Sequence, residues 1–279
     1  MLGSKDTQIN AVEGANVINI SGNNNYIGPS MSDIIDICNS LIESEISKFQ
    51  KIVRVEIDKR IKQFSSEFYI KLINNEGHLD WNRFSKPEYH QAIYLAQKGF
   101  VFGEGDNVHK SLLVDLLISK LDLSLSELNQ IILSQAIKKI AILTNKEIEL
   151  IGLLYLIYEF APQINVVEEI ILYYQEKIDV LKTINVSGMD INHIVYTSCM
   201  TERKTSITPF EYILKRALDF QQVTCYRPME ELIENDQRLK DISIYWNSHR
   251  FSRLDFTSVG YAIAITQCRA KGLDLEYDL

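Results

Sequence analysis

The sequence predicts an all-α fold: a multi-helix bundle with a long N-terminal helix, a short β-prone arm ahead of it and a short strand at the C-terminal end. Three observations carry this expectation. The 279 residues include only 5 prolines and 12 glycines, so regular elements should be long and connections short. From Ser32 to Ile73 there is neither glycine nor proline, and apolar residues recur in steps of three or four. Ser or Thr followed three residues later by Asp or Glu heads several apolar runs, as in Ser30 with Asp33, Ser124 with Glu127 and Thr144 with Glu147.

The chain divides into an arm (1–31), a long amphipathic helix (32–76) and a helical body (77–279). In the arm, Val17, Ile18, Ile20, Tyr26 and Ile27 are β-branched or aromatic. Asn19, Asn23, Asn24 and Asn25 lie among them, with Gly22 and Gly28 as breaks and no charge from Ala15 to Ser32. This composition suits a strand–turn–strand, or a segment stacking on copies of itself with asparagine ladders. A local hairpin or a Gly/Asn-rich tail remains open beside it.

The helix after Gly28-Pro29 carries Ile34, Cys38, Leu41, Ile42, Ile46, Phe49, Val53, Ile57, Ile61, Phe64, Phe68 and Leu72 on one stripe. Continuous over that span, it would be roughly 60 Å long. A stripe of that length predicts pairing with a second copy through Ile42, Ile46, Phe49, Val53, Ile57, Ile61 and Phe64.

Asn74-Asn75-Glu76-Gly77 ends this helix, Trp81 and Phe84 anchor a loop, and Pro87 opens the next helix. Gly103-Glu104-Gly105-Asp106 turns into a leucine-rich helix. Ser124 opens another, and Thr144 precedes the apolar run 148–160, closed by Pro162. Further helices are expected at about 166–182, from Thr208-Pro209 to Phe220, after Pro228, and over 257–270 up to Gly272. Residues 186–206 read as irregular, and the alternating tail 273–279 reads as the short strand. The expected core includes Ile93, Leu113, Leu117, Ile132, Ile140, Leu150, Leu154, Ile157, Leu214, Leu218 and Ile263.

Net charge is −8, which disfavours a nucleic-acid partner, because phosphate binding needs a basic face. Lys48, Lys51, Arg54, Lys59, Arg60 and Lys62 crowd one helix, but acids interleave them and the face reads as solvated. Cys38, Cys199, Cys225 and Cys268 form no CxxC pair and no signal-peptide pattern opens the chain, so a reduced, cytoplasmic setting is expected. No uncharged apolar run reaches the ~20 residues of a membrane helix.

The order Ile18-Asn19-Ile20, Gly22-Asn23-Asn24-Asn25-Tyr26-Ile27 resembles the amyloid-type homotypic interaction motifs of necroptosis kinases and related bacterial proteins. Ser21 is an extra residue between its halves, and Asn19 stands where glutamine is more usual. From Trp81 onward, PEYHQAIYLAQKGF (87–100), SLLVDLLISKL (111–121), SQAIKKIAILTNKEIELIGLLYLI (134–157) and FTSVGYAIAITQCRAKGLDLEYDL (256–279) resemble uncharacterised bacterial helical proteins associated with phage defence and, more distantly, abortive-infection helical domains. The resemblance implies an anti-phage defence or signalling protein that senses a phage or host protein and self-assembles. It supplies no catalytic residues.

The residues themselves give no phosphate loop, nucleophile elbow or metal-ligand spacing, so no catalytic, cofactor-binding or metal-binding residue is predicted. His78, His90, His109, His193 and His249 are mutually remote in sequence. His109 near Asp106 and Asp115 reads as a surface helix face. His193 and Asp190 near Cys199 could make a Cys–His pair, with Cys199 as a buried structural thiol the competing reading. The run from Ser248 to Arg253 reads as a small basic, solvated loop, and Trp246 as core. Two alternatives stand beside self-assembly: a pore-forming or membrane-disrupting effector using the 148–158 helix or the long helix, and a hydrolase or nuclease with a site in 185–206.

Overall fold

Thirteen α-helices build the fold in the computed structural model, which describes residues 29–46, 51–103, 106–160, 166–220, 229–273 and 275. The expected assembly residues Val17, Ile18, Asn19, Ile20, Gly22, Asn23, Asn24, Asn25, Tyr26 and Ile27 lie outside these, as do Phe49, Pro162, Cys225 and most of the expected C-terminal strand. Among the described residues no helix is long and apolar enough to cross a membrane.

The single long helix is corrected to two. Helix α1 (Met31–Ile46) packs along α2 (Lys51–Asn74). The side chains of Cys38 and Ser65 lie beside one another, both fully buried. In one continuous helix these residues, 27 apart, would be separated by about 40 Å. The chain therefore folds back, and the apolar stripe turns inward. Ile57 (4% exposed), Ile61 (0%) and Phe64 (0%) are spent in the chain's own core, so they offer no seam to a second copy. Val53 is exposed, and the side chains of Ile42 and Ile46 lie outside the described residues.

Helix α3 (Trp81–Phe84) is one turn capped by Asp80, where a loop was expected. Pro87 sits at the first position of α4 (Pro87–Phe102), where its missing N–H costs nothing. Asp106 caps α5 (Asn107–Ser119), and Ser126, not Ser124, caps α6 (Glu127–Ile140). The Thr144–Glu147 capping box opens α7 (Asn145–Tyr158) as the sequence predicts. Helix α8 (Val167–Thr183) follows.

Residues 186–206 are more ordered than expected. A second capping box, Ser187 with Asp190, starts α9 (Gly188–Tyr196), and strand β1 (Met200–Glu202) follows. Next come α10 (Phe210–Phe220), α11 (Met229–Asn235) and α12 (Gln237–Ser248), the last capped by Asp236 and unforeseen. Strand β2 (Leu254–Phe256) pairs antiparallel with β1, Met200 opposite Phe256 and Glu202 opposite Leu254. Thr257 then caps α13 (Ser258–Ala270), which ends at Gly272 with φ +91°, a left-handed cap that favours glycine.

Helix α13 is the hub: it packs on α5, α6 and α7 and is buried continuously from Ala262 to Cys268. It approaches closely because Gly152 of α7 leaves room for the Gln267 side chain and Gly260 abuts the Cys199 carbonyl. Every core residue expected from the sequence is buried, Leu154, Ile157 and Ile263 completely. Trp246 is fully buried, its indole N–H donating to the Thr208 carbonyl at 3.0 Å. The Ser248–Arg253 run is corrected from solvated loop to a 3-10 turn: Phe251 and Ser252 are buried within it.

Candidate functional site

A group of polar side chains converges where the N-termini of α5, α7 and α9 meet. Each terminus needs side-chain acceptors for its unpaired backbone N–H groups. Asp106 accepts from the His109 N–H at 2.8 Å, the Thr144 hydroxyl from the Glu147 N–H at 3.2 Å, and the Ser187 hydroxyl from the Asp190 N–H at 3.2 Å. In both boxes the carboxylate returns a bond to the cap's own N–H, Glu147 at 2.8 Å and Asp190 at 2.6 Å.

The same carboxylates cross-link the helices. Lys146 Nζ donates to Asp190 at 2.7 Å, tying α7 to α9. His193 Nδ1 lies 2.7 Å from Glu147 Oε1. Asn145 donates its amide to Asp106, joining α7 to α5. His109, expected on a surface, is only 4% exposed: Nδ1 faces Asp106 at 3.2 Å and Nε2 the Leu143 carbonyl at 2.7 Å. Asp115 pairs instead with Lys71 of α2 at 2.6 Å.

These partners set the charge states. Burial pushes the Asp190 carboxyl up, but hydrogen bonds from Lys146 and Ser187 outweigh it and hold the group at about 2. Burial likewise opposes ionisation of Asp106, and bonds from the His109 backbone, Asn145 and the His109 ring hold it below the ordinary carboxylate range.

The Cys199–His193 pair is corrected. His193 spends Nδ1 on Glu147, a residue 46 positions away in sequence, while Cys199 is fully buried under the Thr197 hydroxyl at 3.4 Å. Burial pushes the Cys199 thiol up, so it is a poor nucleophile. Cys38 and Cys268 are buried as well, each raised by burial to about 11.

Helix α9 is braced from its other flank by Arg250. Its guanidinium forks onto Glu202 at 2.8 and 2.6 Å and also reaches the Asn192 side chain at 3.0 Å and the Gly188 carbonyl at 3.4 Å. Thus held, α9 turns Met189 (76% exposed) and Tyr196 (81%) outward, with the His193 ring stacked near Tyr196 at 6.5 Å between centroids. Met189 and Tyr196 therefore stand exposed on the flank of α9 that also carries the carboxylate-held imidazole of His193. Sequence reasoning missed Glu147 and Lys146 as site residues, since they sit in the opening turn of a helix read as core.

No curated protein and no solved structure matches the chain. A protein-family model does, over residues 28–226. Its description, ":-like", names no activity. The matched span takes in α1 to α10 and so the whole α5–α7–α9 junction, begins after the motif residues 17–27, and stops before α11. With more than half of its 279 residues matched, the chain belongs to this ":-like" family.

Proposed function

We propose that this protein is a non-enzymatic, cytoplasmic bacterial anti-phage defence or signalling protein: its helical body binds a phage or host protein, and residues 17–27 then join copies of the chain. The observation that supports this reading is how the body's reactive side chains are used. Asp106, His109, Asn145, Lys146, Glu147 and Asp190 brace helix ends against one another, and the thiols of Cys38, Cys199 and Cys268 are buried. What the junction presents outward is the rigid α9 face with Met189 and Tyr196.

Self-assembly in this reading rests on the arm alone, because Ile57, Ile61 and Phe64 are committed to the chain's own core. Backbone pairing between arms needs a ladder donor at Ile20 and an apolar side chain at Ile18. Proline at 20 removes the donor, and aspartate at 18 places a charge in every layer.

The test is a phage challenge of wild type, a deletion of residues 1–28, and Ile20→Pro, with size-exclusion profiles of each. Protection and the assembled peak are expected to vanish in both variants while far-UV circular dichroism still reports a folded helical body. Equal protection and equal elution by all three would overturn the assembly reading.

A further inference from the structure

We propose that Nε2 of His193 is a phosphoryl-accepting nucleophile, oriented by the buried carboxylate of Glu147 and supplied by an acyl phosphate. The geometry carries this inference. A carboxylate can only accept hydrogen bonds, so the 2.7 Å contact from His193 Nδ1 to Glu147 Oε1 fixes the ring proton on Nδ1. The lone pair is then on Nε2, which makes no hydrogen bond among the described residues, and the side chain is 39% exposed.

Glu147 is not a mobile surface acid. Its side chain is 3% exposed, and Oε2 is held by the Thr144 N–H at 2.8 Å and the Thr144 hydroxyl at 3.1 Å. The carboxylate thus sits in a fixed place behind the ring. That arrangement balances the positive charge the ring gains when Nε2 forms a bond. Glu147 is therefore a positioning residue and His193 the reacting one. Lys146, next to Glu147 in sequence and bonded to Asp190 one turn before His193, places an ammonium on the same flank of α9.

The step balances without an added oxidant or base. The Nε2 lone pair forms the N–P bond, the bond from phosphorus to the acyl oxygen breaks, and the carboxylate leaves with that electron pair. The Nδ1 proton stays in its bond to Glu147. The product is a phosphoimidazole whose ring charge faces a carboxylate, on the same helix face as Met189 and Tyr196. Phosphorylation would place a phosphoryl dianion on the proposed partner-binding face, a net gain of one negative charge once the ring's positive charge is counted.

The experiment uses the full chain incubated with acetyl phosphate, with the modified histidines mapped by mass spectrometry and the linkage checked for acid lability and alkali stability. His78 and His249 are also exposed and serve as references within the same molecule. His249 is informative because its Nδ1 faces a carbonyl, that of Tyr245 at 2.7 Å, instead of a carboxylate. His193 is expected to label at least about tenfold faster than either, by the size of effect that such supporting groups have elsewhere. In Glu147→Gln, which can still accept from Thr144, the advantage is expected to fall to within a few-fold. His193→Ala is expected to remove the fast label.

Because each ratio is taken within one molecule, a loss of stability in Glu147→Gln does not mimic the result. Equal labelling of the three histidines, no label on His193, or an undiminished advantage in Glu147→Gln would each overturn the proposal. None of these outcomes bears on arm-driven assembly, which the size-exclusion profiles decide separately.

Discussion

Among the described glycines, Gly260 at the start of α13 makes the tightest approach to the backbone of another segment, and Gly260→Ala tests it. A Cβ built there would lie 1.9 Å from the Cys199 carbonyl oxygen and 2.9 Å from its carbon. Real Cβ atoms essentially never come within 3.0 Å, so α13 must retreat by at least 3.0 − 1.9 = 1.1 Å. The same carbonyl accepts from the Thr257 N–H at 3.2 Å and the Thr257 hydroxyl at 3.0 Å, so the shift stretches the joint between strand and helix. Overpacking of this kind costs about 1–3 kcal/mol, and each weakened hydrogen bond adds about 0.5–1.5 kcal/mol. Alanine's better helix propensity returns under ~1 kcal/mol.

The net expectation is a loss of about 3 kcal/mol, or roughly 6–12 °C in melting temperature for a chain of this size. Gly77→Ala is the matched control: nothing lies within 4 Å of its Cβ position, so that variant should stay within about 1 kcal/mol of wild type. The assay is thermal unfolding followed by circular dichroism, repeated in urea. If Gly260→Ala melted with wild type while keeping its helical signal, the close approach of α13 to Cys199 would be wrong.

Three further outcomes follow from the interior and the junction. Leu154, fully buried, should tolerate alanine at a cost of about 2–5 kcal/mol but not aspartate, whose unpaired charge should abolish the folded circular dichroism signal. Gln97 is fully buried and neither amide atom has a partner among the described residues, so Gln97→Met should raise the urea midpoint by about 1–3 kcal/mol equivalent; a lowered midpoint would refute it. Asp190 is depressed from 3.8 to about 2 in the fold, so its stabilisation is complete above the unfolded value and is lost as pH falls through about 2. The stability gap between wild type and Asp190→Asn should therefore be constant above about pH 5 and narrow between about pH 4 and pH 2. A gap that widened on acidification would contradict the sign.

The all-α class, the core and the Thr144 box were legible because they are local: caps and 3.6-residue spacing are written within one turn of the residues they govern. The break between α1 and α2 was not, because no glycine or proline marks it and both halves carry an apolar face. Reversal there is decided by what the faces bury against, as the contact of Cys38 with Ser65 demonstrates. Ser187 with Asp190 was a readable helix start that the surrounding polar residues masked. Strands of three residues are too short to show a period of two. The partner of His193 lay beyond any local pattern, since Glu147 reaches it only once α7 and α9 are packed side by side.

The fold-back of α1 along α2 has a consequence for how arms could stack. It roots the arm on the body itself, with Ser30 held by Asp33 at 2.8 Å, and not at the tip of a 60 Å stalk. Stacked strands repeat every ~4.8 Å, whereas a body of this length is roughly 45 Å across, about nine layers' worth. The three residues between Ile27 and Met31 allow those two to stand at most ~14 Å apart. If arms stack as proposed, each added copy would bring a load wider than the step it climbs, so the bodies would have to fan around the axis and would crowd one another after few additions. In the proposed assembly, growth would thus be throttled by its own cargo, favouring small, countable clusters over open-ended fibres.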